Sequence, residues 1–224
     1  MYNIALIATG HKDKGVCNSN ELYKILEDAT PDIIFEELSS HFFTAIYEGK
    51  NPDSLETKAI KFYLQKHPIV HYPVDLDFRH LVDKGFKNEL KEMYDIFNLN
   101  PDYSEICIQF EMLSMQHGFS YLNSTQSVAL LEYKHAIEKK ILRKLNEKKL
   151  FTTYEKWLMI HDMRDREMVK NIYSYSNLNT YKNALFVVGA EHRRTIMNIV
   201  SVVEKNSSRK LNWNFDHFNH FPRV

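Results

Sequence analysis

Two histidines stand at the ends of apolar runs, where a side chain can do chemistry. His11 closes Ala8-Thr9-Gly10-His11, directly after Ile4-Ala5-Leu6-Ile7. His192 closes Gly189-Ala190-Glu191-His192, directly after Ala184-Leu185-Phe186-Val187-Val188. A short apolar run followed by small residues reads as a buried strand ending in a tight turn. In an open α/β sheet, ligands bind at the carboxyl ends of the strands. A neutral imidazole presented there is a ready metal ligand. His192 also opens an expected helix, whose free N–H groups favour an anion beside it.

Carboxylates come after two further runs. Glu36 and Glu37 come after Ile33-Ile34-Phe35. Adjacent residues on a strand point to opposite faces, so one of the pair should face the site. Glu37, at the strand's end, is the expected one. It would complete a set of two histidines and a carboxylate around a metal, or act as general base for a metal-bound water. Asp75 and Asp77 come after Ile69–Val74 and share parity; they serve the site or cap the next helix. Arg79 is a weaker candidate. His161, Arg164, Asp165 and Met168 share a helix face by the i, i+3, i+4 rule. An inward Arg164 would clamp a carboxylate or steady an oxyanion. Each residue also has a plainer reading: a loop histidine on backbone, a helix-starting histidine, a solvated carboxylate pair, a charged helix face of internal ion pairs. For the His161–Met168 stripe alone the plainer reading is preferred.

The elements that must position these groups are set by pattern. Strands are expected at 3–9, 33–35, 69–74 and 184–188, with a last one at 211–215. Asn18 with Glu21 has capping-box spacing and starts a helix to about Asp28. Residues 39–53 read as irregular, 55–66 as helix, 174–183 as loop, and 193–205 as helix. Between about 78 and 175 strand signal vanishes. Asp102 with Glu105 and Thr152 with Glu155 have capping-box spacing, and Ile137, Ile141, Leu142 and Leu145 form a helical stripe. The expectation is one α/β domain over 1–224: a central, mostly parallel sheet flanked by helices, with a long all-helical insertion. The first strand–helix–strand unit makes its strands parallel, so His11 and Glu37 reach the same sheet edge. The tail, with His217 and His220, is given no element.

At 224 residues the chain can bury a full core. Lys+Arg and Asp+Glu are both 29, which argues against a nucleic-acid or anionic-membrane footprint. The Lys134–Lys149 charge run reads as the wet face of a helix. Cys17 and Cys107 form no CxxC and read as reduced thiols, so a cytoplasmic protein is expected. No targeting segment and no membrane span is read. GxGxxG, P-loop, GxSxG and HExxH motifs are absent.

The ordered pieces resemble the TraB/PrgY/TIKI proteins, within the erythromycin-esterase-like and ChaN-like superfamily. Ala8-Thr9-Gly10-His11 is similar to the first GTxH motif, with Ala8 where the family has glycine. Pro31-Asp32-Ile33-Ile34-Phe35-Glu36-Glu37-Leu38 resembles its acidic strand, Arg164-Asp165-Arg166-Glu167-Met168 its helix motif, and Gly189–His192 its second GxxH. The resemblance implies an α/β fold with the site between the two turns. His11, Glu37 and His192 would then hold a divalent metal ion, with Arg164 facing substrate. The expected activity is metal-dependent hydrolysis of an amide or peptide bond in a small-molecule or peptide substrate. Glu37 and Arg164 would be catalytic, and Gly189, Ala190 and Asp75 would contact substrate. Two alternatives stay open: a non-catalytic haem- or peptide-binding protein, and an interaction protein with a vestigial site. The metal's identity, the substrate and the oligomeric state are not legible.

Overall fold

The computed structural model describes residues 2–51, 53–206 and 210–216. His217, His220 and Pro52 lie outside the described residues. Strands Asn3–Thr9 (β1), Ile33–Glu36 (β2), Val70–Pro73 (β3), Asn183–Gly189 (β4) and Asn212–Asn214 (β5) form one parallel sheet, ordered β3-β2-β4-β1-β5. Strand β4 is central, and Ala184 to Gly189 are all buried. It pairs with β1 so that Thr9 lies against Gly189, and with β2 so that Glu36 lies against Val187. This register brings both histidine turns and the acidic strand end to one edge. The α/β expectation with its parallel sheet is met.

Among the described residues the helices are Ser19–Ala29 (α1), Ser40–Tyr47 (α2), Leu55–Lys66 (α3), Lys84–Asn98 (α4), Pro101–Leu122 (α5), Thr125–Leu145 (α6), Lys148–Leu178 (α7) and Arg193–Asn206 (α8). Asn18 caps α1 by accepting from the Glu21 N–H at 3.0 Å. Helices α4 to α7 form the insertion, with a small core of their own that includes Met93, Phe97, Ile137, Ile141 and Leu142. Leu145, 40% exposed, falls outside it. No helix among the described residues is long and apolar enough to cross a membrane.

Four local expectations are corrected. Residues 40–47 are helical, not irregular; Ser39 accepts from the Phe42 N–H and starts the turn. Helix α5 is capped by Asn100 with Pro101 in its first turn, ahead of Asp102. Thr152 sits inside α7 and donates to the Lys148 carbonyl at 3.0 Å, so its cap-like spacing is incidental. Helix α7 runs on to Leu178, and within that last stretch the buried Ser176 hydroxyl donates to the Ile172 carbonyl.

The loop after β1 is fixed by α5. The Val16 N–H donates to the Met115 carbonyl at 2.9 Å. Gly118 breaks the helical geometry of α5 at φ 56°, and a Cβ there would lie 2.8 Å from the Val16 carbonyl oxygen. Only glycine allows both the turn and the approach. Ala8 lies within extended β1 and needs no positive φ.

Strand β5 pairs only with Asn3–Ala5, which leaves the upper part of β1 without a strand neighbour on that side. The side-chain amide of Asn123 fills the gap. It accepts from the Ala8 N–H at 2.8 Å and donates to the Ala8 carbonyl at 3.1 Å. Replacing Asn123 with leucine would orphan two buried backbone groups. Asn123→Leu should lose about 2–4 kcal/mol of stability, read as a lower urea midpoint at unchanged slope.

Candidate functional site

Glu37 is the hub. It emerges just past β2, where its own N–H still bonds the Val187 carbonyl. Oε2 accepts from the Gly189 N–H at 2.6 Å. Oε1 accepts from Arg164 Nη2 at 2.5 Å and lies 3.1 Å from His192 Nε2. His11 Nε2 stands 3.9 Å from Oε2. Gly189 lets His11 come close: a Cβ there would clash with His11 Nε2 and meet Glu37 Oε2 at 3.2 Å, so the imidazole would have to shift.

Each histidine is held from behind by a carboxylate. His11 has φ 60°, a left-handed conformation uncommon for a side-chain-bearing residue. Its N–H bonds Glu56 Oε1 at 3.2 Å, and its Nδ1 lies 3.1 Å from the same oxygen. The Thr9 hydroxyl also donates to that oxygen, and Ser54 donates to Glu56 Oε2 at 2.6 Å. The start of α3 therefore grips the turn. His192 is buried in the single 3-10 turn Ala190–His192, and its Nδ1 bonds Asp165 Oδ1 at 2.5 Å. In both imidazoles Nδ1 faces a buried carboxylate and Nε2 faces Glu37. Carboxylates placed behind the ring orient histidines in the same way at metal and acid–base centres.

Arg164 enters from α7. Its Nε and Nη2 bond Asp75, the latter at 2.7 Å, while Nη2 also bonds Glu37. The guanidinium stacks over Phe78 at 4.6 Å. The plainer reading of the α7 stripe is thus overturned: Arg164 and Asp165 pair across elements, not along the helix. His161 stacks on His192 at 5.1 Å between ring centres.

The cluster sets Glu37, Glu56, Asp75 and Asp165 against one guanidinium and two imidazoles. Burial opposes ionisation of Glu37, but the charge and hydrogen bond of His192, with His11 and Arg164, hold it well below the ordinary carboxylate range. Burial also opposes a charged His192, yet Glu37 and the Asp165 hydrogen bond push it up to about 10. His11 is raised as well: burial disfavours its charge, and Glu56 outweighs that. Burial raises Asp75 and Asp165 above the ordinary range despite their partners. His161 goes the other way, to about 3, through burial and the charges of His192 and Arg164.

A cavity of about 220 Å³ opens onto this cluster, with His11, Glu36, Glu37 and Glu56 in its wall beside Ile46, Ile60 and Val188. The His11 side chain is 53% exposed, so it is the member that meets solvent. Of the expected site residues, His11, Glu37, His192, Arg164, Asp75 and Gly189 are brought together. Arg164 and Gly189 hold Glu37 from behind, Asp75 holds Arg164, and none of the three lines the cavity. The Gly189 N–H is spent on Glu37, not left open for an oxyanion. Ala190 packs into the main core. Asp77 pairs with Arg79 at the surface, away from Asp75. Glu36 is no solvated carboxylate: 2% exposed, it bonds the Tyr47 hydroxyl at 2.8 Å and His71 Nδ1 at 2.6 Å. Glu56 was not anticipated; Ser54 with an acid in the first turn of α3 reads as ordinary helix capping.

As placed, His11 and His192 each approach Glu37, and among the described residues no group of three His, Cys, Asp or Glu side chains is spaced to hold a metal ion. Their donor types and anchored orientations do suit one. No family model, curated protein or solved structure matches this chain.

Two measurements check this geometry. Gly189→Ala should displace His11 while leaving stability within about 1 kcal/mol, since the clash is with a side-chain end; a changed His11 imidazole signal in NMR reads it. Arg164→Met should destabilise by about 3–5 kcal/mol, because two buried carboxylates lose their partner; chemical denaturation reads that.

Proposed function

We propose that the chain is a hydrolase of an amide, peptide or related carbonyl bond, with its chemistry at His11 and Glu37. One observation carries the reading: two imidazoles, each anchored through Nδ1, converge through Nε2 on one buried carboxylate beside a cavity. The resemblance to TraB/PrgY/TIKI proteins supports the same reaction class. Glu56 keeps the proton on His11 Nδ1, which leaves Nε2 free to take a proton from water. Glu37 orients that imidazole and offsets the charge it gains. His192, Asp165 and Arg164 keep Glu37 ionised and in place. The apolar wall of Ile46, Ile60 and Val188 seats the substrate and limits water.

A divalent cation is the cofactor this donor set would take, on His11, His192 and Glu37. Bound there it would lower the pKa of a water or polarise a carbonyl. A second, metal-free reading is favoured by a specific feature: Glu37 already accepts from Gly189, Arg164 and His192. In that reading His11 and Glu56 work as an acid–base dyad. Haem is a poorer fit, since Glu36, Glu37 and Glu56 already line the cavity and a haem would bring further carboxylates.

The test is metal content by mass spectrometry on untagged protein purified without chelator, with a screen of peptide, amide and ester substrates, on the parent and His11→Ala. The proposal expects turnover that falls about 10²–10⁴-fold in the variant. About one metal per chain, lost in His11→Ala, supports the metal-dependent form. Turnover that survives chelation supports the dyad. A parent with no turnover, after reloading with divalent ions, overturns the hydrolase.

A further inference from the structure

A second cavity, of about 380 Å³, lies among α4, α6, α7 and the 3-10 turn. Neither His11 nor Glu37 lines it, so what it binds is independent of the hydrolase reading. Three aromatic side chains form its walls: Tyr94, Tyr154 and Trp157. Glu138 also lines it and is only 3% exposed. That carboxylate accepts one hydrogen bond, from the Tyr154 hydroxyl at 2.9 Å, and among the described residues it makes no salt bridge. His161 lines the cavity too, and its Nε2 is buried without a hydrogen-bond partner.

Most other charges at this cavity are already matched. Lys134 and His135 both pair with Glu191. Asp165 is taken by His192, and Asp162 by Arg166. Glu138 and the His161 nitrogen are left as the unspent polar groups. A buried carboxylate lacking a close counter-charge is costly, and it is relieved by a cation that brings its own hydrogen-bond donors. Aromatic faces around it attract the same kind of group. His135 and Lys134 lie one helical turn away on α6 and offset Glu138 only in part: both are paired with Glu191, and burial still raises the Glu138 carboxyl above its ordinary range.

We propose that this cavity is a binding site for an organic ammonium group, held by Glu138 between Tyr94, Tyr154 and Trp157, with the His161 ring in the wall. The volume admits an amine with an apolar body of about phenyl size. The occupant would lie against His161, which stacks on His192, and beside Asp165, which orients His192. Ligand at this cavity therefore adjoins the back of the candidate active site.

The test is calorimetric titration of the full chain with 2-phenylethylammonium and with 2-phenylethanol, its neutral counterpart. The proposal expects saturable binding of the ammonium, at least tenfold weaker binding of the alcohol, and at least tenfold weaker ammonium binding in Glu138→Gln. Glutamine keeps the acceptor for Tyr154, so the variant retains its local hydrogen bond. Glu105→Gln, on an exposed face of α5, should bind as the parent does. Tryptophan fluorescence gives a readout that needs no change at Glu138. The ammonium should alter the parent's emission, and Trp157→Phe should abolish that change while Trp213 still emits. Equal binding of ammonium and alcohol, unaltered affinity in Glu138→Gln, or no saturable binding by the parent would each overturn the proposal.

Discussion

A single buried carboxylate constrains this molecule most. Glu37 sits where water is scarce, and an ionised group there must find donors for its oxygens. It finds a backbone N–H at the end of β4, a guanidinium from α7 and an imidazole from the turn after β4. Two come from the end of β4 and its turn, and the third from α7. The β2–β4 register, the inward face of α7 and the absence of a side chain at position 189 all serve the same atom pair. Loosening any one leaves charge uncompensated in a low-dielectric site, where breaking a pair costs several times what making it gains. The strand ends are thereby tied to the insertion, and the sheet edge is rigid where the candidate chemistry lies.

Charge balance sharpens the choice between the two hydrolytic forms. Four carboxylates face one guanidinium, which leaves three negative charges unmatched. Two protonated imidazoles offset two of them, and the upward shifts at His11 and His192 have that origin; His11 acts as base in the metal-free form only once its Nε2 proton has left. One divalent cation with two neutral imidazoles supplies the same total. The two forms are therefore near-equivalent electrostatically, and they differ in what occupies the space between Nε2 and Glu37. In either form Glu56 and Asp165 keep their task of fixing which nitrogen points inward.

Much of this was legible in the sequence because strand ends are legible. His11, Glu37 and His192 each come after an apolar run, and parallel strands must deliver their carboxyl ends to one edge. The residues beyond a strand's end are harder to read. Asp75 and Asp77 share parity, yet the chain has left the sheet by then, so alternation no longer applies and they part. Glu56 was hidden because its role depends on α3 docking against the His11 turn, a tertiary event with no local signature. The inward face of α7 was misjudged for a related reason. A row of charges looks the same whether it pairs along its own helix or reaches across to β2 and the 3-10 turn. Helix α2 escaped because its Ser39 cap precedes a segment too short to show a clear period.

The helical insertion is part of the site, not an ornament on the sheet. Arg164, Asp165 and His161 all come from α7, whose outer turns pack into the insertion's own core through Leu150 and Tyr154. Asn123, just past the end of α5, completes the strand-free flank of β1 one residue before Thr9 joins the Glu56 network. The loop bearing His11 is fixed against the kink in α5. A shift of α5 or α7 relative to the sheet would therefore move His11, Glu37 and His192 by different amounts. Because the cavity near Glu138 lies inside that same helical layer, its occupant would bear on α7 at the level of His161 and Asp165. The insertion thus has a mechanical route to the candidate active site, and it runs through the face of α7 that holds Glu37 in place.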